Sequence, residues 1–480
     1  MKKLVDKIVA LLSKIVNYKY TFLILCFLNL VITFLSILKP TIIVGLIFIF
    51  LNTIFVLVST NNKGMQNVIF LYPLSRVLKI PGISTSLFTI ILLIFIVSLL
   101  IKLIINRFKN ISTNKIIFLF LFVFYVLYTF VVSLINYGSF SFNRLFSYYL
   151  YLSFPIVCVF ALTSDDQIDG VNNILLFSIS YLVGMLYTIG FHYLIPNGDD
   201  LLANAGVNIF DMKTYGIRFS PLSDDPNYGT CVILLLSSLF LAAIKTKKQI
   251  MIGVPVILLN FILSAFSLSK MFYLCLIIIF GFYALKIIFN LKSVILAGTI
   301  TMFSIVFLFV FLGTSFGQTL LIRIIGTTDG ISLNRITSGR TVLFGEYSSY
   351  IMSNPFVLLF GKGPIYSDFS LFSNGEHNTF TANILGNGLI GVGIMLLVLF
   401  LMAKERFDKL NHLPKNFNFY GFLVCLLICC MSLSIAPSTV FPILVVSAQF
   451  VKIEDDIKCN SSNNKKDKSL SHEEIMEIKI

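Results

Sequence analysis

A soluble globular domain carries about 25% charged residues, whereas this chain of 480 residues carries 12%, with 57% hydrophobic residues and a mean hydropathy of +0.93. That composition excludes a water-facing fold and defines a membrane protein. The net charge of +14 would suggest nucleic acid in a soluble domain; in a membrane chain it asks which side of the bilayer holds the charge.

The segment 1–18 places Leu4, Ile8, Leu11, Leu12 and Ile15 at helical spacing among Lys3, Lys7 and Lys14. This predicts a cytoplasmic amphipathic helix rather than a signal peptide, because no small-residue cleavage site follows. Apolar runs then occur near 20–38, 41–58, 85–106, 116–136, 148–162, 173–195, 227–244, 251–267, 272–289, 293–312, 379–402, 419–434 and 438–451. Each approaches the roughly 20 residues that cross a bilayer. None alternates with a period of two, so the runs are helices and not barrel strands. The predicted fold class is an all-α polytopic membrane protein of 12 to 14 transmembrane helices, in blocks 19–195, 227–312 and 379–451. Seven of the eight cysteines lie inside apolar runs without zinc-ligand spacing and read as packing residues.

Lys245, Lys247 and Lys248 fill a short gap between two spans, and the positive-inside rule makes that gap cytoplasmic. Counting from it places 196–226 and 313–378 outside, and the 107–115 loop, the 404–415 loop and the tail inside. Thirteen spans would then leave the lysine-rich N-terminus outside. The repair is a further short or re-entrant span over Val68–Leu78; the alternative is that 20–58 is not two full crossings. Both ends are expected in the cytoplasm. The two long outside segments sum to −3, so the remaining chain carries +17. The surplus reports topology and contact with anionic membrane lipid, with no nucleic-acid partner. The tail 452–480 mixes six basic with seven acidic residues among Ser and Asn and reads as disordered.

Long loops between membrane helices mark a working surface. Within 313–378, Ser338 and Gly339 are cap candidates for a helix in which Val342, Leu343, Tyr347, Tyr350 and Ile351 recur at helical spacing until Asn354 and Pro355 stop it. FVLLFG and the turn signal GKGP then return the chain towards the bilayer. The expected result is a large extracytoplasmic loop with amphipathic helices on the outer surface.

His377, at the mouth of the following span, can accept a proton near neutral pH; its bland reading is a histidine hydrogen-bonded at a helix start. Glu376 and Asn378 flank it, to orient the ring or cap the helix. Arg218 and Arg340 bring guanidiniums that grip phosphate oxygens in a bidentate manner. Arg335, Lys270, Arg323 and Lys362 are weaker anion-binding candidates, and Arg144 is weaker still. Asn227 closes the string Asp225-Pro226-Asn227 before a span. No Walker loop, HExxH or DxD-like motif occurs in the outside segments.

Arg340 in SGR, Pro355, the GxGP turn at Gly361–Pro364, His377-Asn378 and the run Gly388-Leu389-Ile390-Gly391, preceded by Arg218 and Asp225-Pro226-Asn227, resemble the signature of the O-antigen polymerase and ligase family. The resemblance covers residues 210 to 400 in motif. It implies a membrane glycosyltransferase on the outer face of the cytoplasmic membrane, with undecaprenyl-diphosphate-linked oligosaccharide as donor and without metal, nucleotide sugar or other cofactor. It also implies a chain-length regulator and a flippase of the same pathway as partners. On the matching positions Arg218 and Arg340 would hold the diphosphate, His377 would serve the acceptor hydroxyl, and Glu376, Asn378, Arg335, Lys270 and Asn227 would line the substrate site. The chain lacks tryptophan, which members often carry in the loop helix, and has Ser269-Lys270 where serine-arginine is common. The expected activity is repeat-unit polymerisation for a capsule, exopolysaccharide or O-antigen; the alternatives are a ligase-type transferase and a non-enzymatic transporter or flippase.

Overall fold

The computed structural model describes residues 16, 18, 20–79, 86–105, 111–136, 142–162, 170–207, 209–212, 216–222, 225–244, 246–288, 313–314, 317–318, 322, 339–364, 377–407, 416–435 and 440–451. The first half of the bundle contains α1 (Thr21–Leu38), α2 (Ile42–Val58), α3 (Asn61–Leu71), α4 (Leu87–Ile105), α5 (Thr113–Asn136), α6 (Phe142–Ala161) and α7 (Gly170–Leu194). A short α8 (Gly198–Asn204) and the antiparallel pair β1 (Phe210–Met212) and β2 (Gly216–Arg218) follow. The second half contains α9 (Pro226–Ala243), α10 (Lys247–Ala265), α11 (Lys270–Ile288), α12 (Arg340–Ser353), α13 (Pro355–Phe360), α14 (Thr379–Phe407), α15 (Phe417–Ser432) and α16 (Val440–Phe450).

Eight of the described helices are long and apolar enough to cross a membrane, namely α1, α4, α5, α6, α7, α9, α10 and α14; α2, α15 and α16 are shorter apolar helices. The chain is therefore an all-α polytopic membrane protein, as its apolar runs predict. The run at 293–312, the segment 1–15 and the tail from 452 lie outside the described residues. The largest boundary shift is in α6, which starts at Phe142 rather than near 148. Its first turns keep helical form although they are polar, because Tyr148 Oη meets Tyr125 Oη at 3.1 Å and Tyr149 Oη meets Thr129 Oγ1 at 2.8 Å on α5.

The segment 61–78 is an additional element of the bundle. Lys102 Nζ donates to Ser59 O at 3.2 Å and to Asn61 Oδ1 at 3.1 Å, while Leu87 N donates to Leu78 O at 2.8 Å. The chain from 61 to 78 therefore runs antiparallel to α4 along residues 87–102, about 22 Å at 1.5 Å per residue. It carries α3, a 3₁₀ turn at Tyr72–Leu74 and a tight turn, and Val68, Ile69, Leu71 and Leu74 are fully buried. Its burial by protein explains how a path this short is accommodated. Asn67 Nδ2 donates to Asn52 Oδ1 at 2.9 Å, and Asn52 exchanges two side-chain bonds with Asn29. This buried triad ties α1, α2 and α3 together where no hydrophobic force between helices operates.

Several helix ends are tied together by contacts between elements distant in sequence. Lys63 Nζ reaches Val16 O, Phe118 packs on Phe160, and Gly170 abuts the Phe450–Val451 backbone. Asn416 Nδ2 donates to Ala242 O and Asn418 Nδ2 to Leu241 O. Val16, Lys63, Lys102, the α9–α10 connection and Val451 thus gather at one end of the bundle.

Candidate functional site

The first turn of α9 is the hub of the opposite end. Asp225 caps the helix by accepting from Asn227 N at 2.8 Å, and Pro226 at the first helical position has no N–H to leave unsatisfied. Asn227 Oδ1 in turn accepts from Arg218 Nη2 at 3.1 Å, while Arg218 Nε donates to Ser267 O at 2.6 Å. The guanidinium is buried and its plane is fixed by these two contacts. Ser267 lies in the tight α10–α11 connection, where Leu268 has φ 51° and Phe266 O accepts from Phe219 N at 3.1 Å. That connection delivers Lys270 to the start of α11.

Arg340 and His377 lie within electrostatic reach of the same turn. Burial draws the Arg340 guanidinium below its usual value, with Tyr228 and Asp225 acting in the opposite sense. His377 is held below 6.5, first by burial and next by the Arg340 charge, and Asp225 opposes both. At neutral pH the imidazole is therefore uncharged. Its Nδ1 is buried and has no hydrogen-bond partner among the described residues. Asp225 is the carboxylate that acts on both Arg340 and His377, among the cations Arg218, Arg340 and Lys270. Arg340, Lys270 and the His377-Asn378 pair each open a helix, as Asp225 does. Helix N-termini carry partial positive charge and exposed N–H groups, so their convergence favours an anion.

The loop helices are seated on α14 rather than detached. Tyr347, Ile351 and Val357 are buried against Leu385, with Leu343 and Tyr350 packed beside them. Val342, Phe344, Met352, Phe356 and Leu359 are exposed, the apolar face expected of helices at a bilayer surface. The GKGP turn then inserts into the bundle. Lys362 N donates to Leu385 O at 2.8 Å and Gly363 N to Gly386 O at 2.7 Å, across a kink where Gly388 has φ 64°. Tyr128 Oη on α5 donates to both Phe360 O and Asn387 O. A Cβ at Gly361 would lie 2.5 Å from Gly388 N, and one at Gly388 would lie 2.3 Å from Leu359 O. These glycines permit a backbone-to-backbone approach, which links two motifs far apart in sequence.

The other candidates take different places. Asn378 Oδ1 accepts from Phe380 N and Thr381 N, and its Nδ2 donates to Met431 O at 3.3 Å; it caps α14 and fixes that start to α15. Asn227 positions Arg218. Lys362 Nζ lies over the Tyr350 ring at 4.8 Å, a cation–π contact within the loop domain. Arg144 is exposed near the start of α6. Glu376, Arg335 and Arg323 lie outside the described residues. His192, the other histidine expected outside, meets Asp199 at 2.7 Å and packs edge-on against Phe219. In the sequence Asp225 is only part of the string that precedes a span, and Tyr228 carries no signal of its own. The cap is observed, but the electrostatic role of both residues needs the approach of Arg340 and His377, which no local pattern encodes.

Neither a protein-family model nor a curated protein matches the chain.

Proposed function

We propose that the protein is a metal-independent glycosyltransferase that polymerises undecaprenyl-diphosphate-linked oligosaccharides at the outer face of the cytoplasmic membrane. The observation that carries this reading is the meeting of Arg218, Arg340 and His377 around the first turn of α9. The acceptor hydroxyl oxygen attacks the anomeric carbon of the donor sugar as the bond from that carbon to the diphosphate oxygen breaks. Undecaprenyl diphosphate leaves with the bonding electron pair, and the hydroxyl proton passes to His377. Burial and Arg340 favour the neutral imidazole that this step requires. The leaving group gains negative charge, which Arg218, Arg340 and the helix N-termini stabilise without reorganising. Guanidiniums supply the charge that a metal supplies in other transferases. A chain-length regulator and a flippase are the expected partners.

The test is the polymer pattern on a gel from cells with matched protein abundance. Arg218→Lys and Arg340→Lys each lose most long-chain polymer, because lysine lacks the bidentate fork, and His377→Ala loses it as well. Wild-type polymer from all three variants would refute the assignment.

A further inference from the structure

The orientation set by the basic α9–α10 loop places the tight turn after α3 at the outer end of the bundle. That turn carries Arg76 and Lys79, both exposed, with no side-chain hydrogen bond or ion pair among the described residues. Basic residues in short loops are retained on the inner side, so an outer pair runs against the trend. The turn also adjoins the segment that bears Arg218. Leu74 Cδ2 and Leu222 N both approach Gly184 on α7, at 3.8 and 3.6 Å from the point a Cβ would occupy. A Cβ on Gly206, in the connection after α8, would lie 3.0 Å from Lys79 Nζ. The path from Arg76 through Leu74, Gly184 and Leu222 to Asp225 bounds their separation at roughly 30 Å, at about 3.8 Å per Cα step. Leu74 and Leu222 thus meet at the same point of α7, which sets the turn beside the segment that leads into α9.

A polymerase binds two lipid-linked substrates at once, and each bears a diphosphate. The acceptor reacts at a sugar hydroxyl, so its diphosphate lies one oligosaccharide away from the reacting bond. We propose, on the transferase reading above, that Arg76 and Lys79 hold the diphosphate of the acceptor while Arg218 and Arg340 hold that of the donor. An exposed cationic pair suits an acceptor, whose diphosphate gains no charge in the reaction and must be released with the lengthened chain.

The test uses the full-length protein in phosphatidylcholine nanodiscs, titrated with undecaprenyl diphosphate and read by native mass spectrometry. The wild type is expected to bind two molecules per chain, Arg76→Ala with Lys79→Ala one, and Arg76→Lys two. Two bound molecules in the double alanine variant, one in the wild type, or displacement of the second by phosphatidylglycerol would overturn the proposal. Sidedness gives an arm independent of binding: Arg76→Cys should react with a membrane-impermeant maleimide added outside intact cells, and reaction only after permeabilisation would also overturn it. A wild type that binds no undecaprenyl diphosphate would sink the transferase reading itself, whereas a wild type that polymerises but keeps both sites in the double variant would sink this inference alone.

Discussion

Gly388→Ala is the sharpest structural perturbation, because three costs coincide at that position. A left-handed φ disfavours an L side chain by about 1–2 kcal/mol, and φ at Gly388 is 64°. The new Cβ would stand 2.3 Å from Leu359 O and 2.5 Å from Phe360 C, and overpacking of this kind costs about 1–3 kcal/mol. Relief requires α13 to withdraw, which breaks the Lys362–Leu385 and Gly363–Gly386 bonds, each contributing about 1 kcal/mol. The total is roughly 4 kcal/mol or more. Gly339→Ala is the control, since it shares the left-handed conformation at φ 80° but meets nothing within 4 Å. Hydrogen exchange over 358–364 separates them. Protection of the Lys362 and Gly363 amides should fall by about a thousandfold in Gly388→Ala, at tenfold per 1.4 kcal/mol, and stay close to wild type in Gly339→Ala. Protection within tenfold of wild type in Gly388→Ala would refute the docking of the turn.

The pH dependence of transfer follows from His377. Because its folded value lies below 6.5, the rate should be flat above pH 6.5 and fall only as the solution becomes more acidic. Asp225→Asn removes a raising influence and should move that acid limb lower, whereas Arg340→Gln removes a lowering one and should move it higher; opposite shifts in a pH–rate profile would contradict the site geometry. The same displacement predicts that the His377 contribution to stability is present above pH 6.5 and lost as pH falls from 6.5 through the folded value, because the unfolded chain binds the proton first; thermal melts of wild type and His377→Gln across pH 5–7 measure it. Asn227→Ala frees one side of the Arg218 plane and should weaken donor binding more than it changes protein abundance, which a donor titration reads. Asn52→Ala removes three side-chain bonds between helices, and at about 0.6 kcal/mol for each such bond should lower stability by roughly 2 kcal/mol in a detergent unfolding titration.

The transmembrane helices were legible because continuous apolar runs report spans directly, and the observed boundaries of α1, α2 and α4 fall within two residues of the apolar runs. The buried segment 61–78 left no hydropathy signal of its own. Its residues are polar enough to escape a hydropathy reading, and protein rather than lipid surrounds them. At the site, Arg218, Arg340 and His377 stood out because basic residues and histidines are few in the outside segments. Their meeting point at Asp225 and Tyr228 did not, since it depends on tertiary approach between segments more than 100 residues apart. The glycines at 361 and 388 were visible as a motif, but their reason, mutual backbone contact, belongs to the packed structure. Asn378 shows the reverse case: its place beside His377 suggested substrate contact, whereas its side chain caps α14 and holds it to α15.

The central claim is transfer from one lipid diphosphate carrier to the next. Purified protein in vesicles should be supplied with lipid-linked oligosaccharide extracted from cells lacking this gene, with EDTA present, and the products resolved by gel and mass spectrometry. The account predicts a ladder rising by whole repeat units with one undecaprenyl diphosphate released per step, abolished by His377→Ala. Movement of intact lipid-linked oligosaccharide across the bilayer without any ladder, or a ladder formed only when metal is added back, would contradict it.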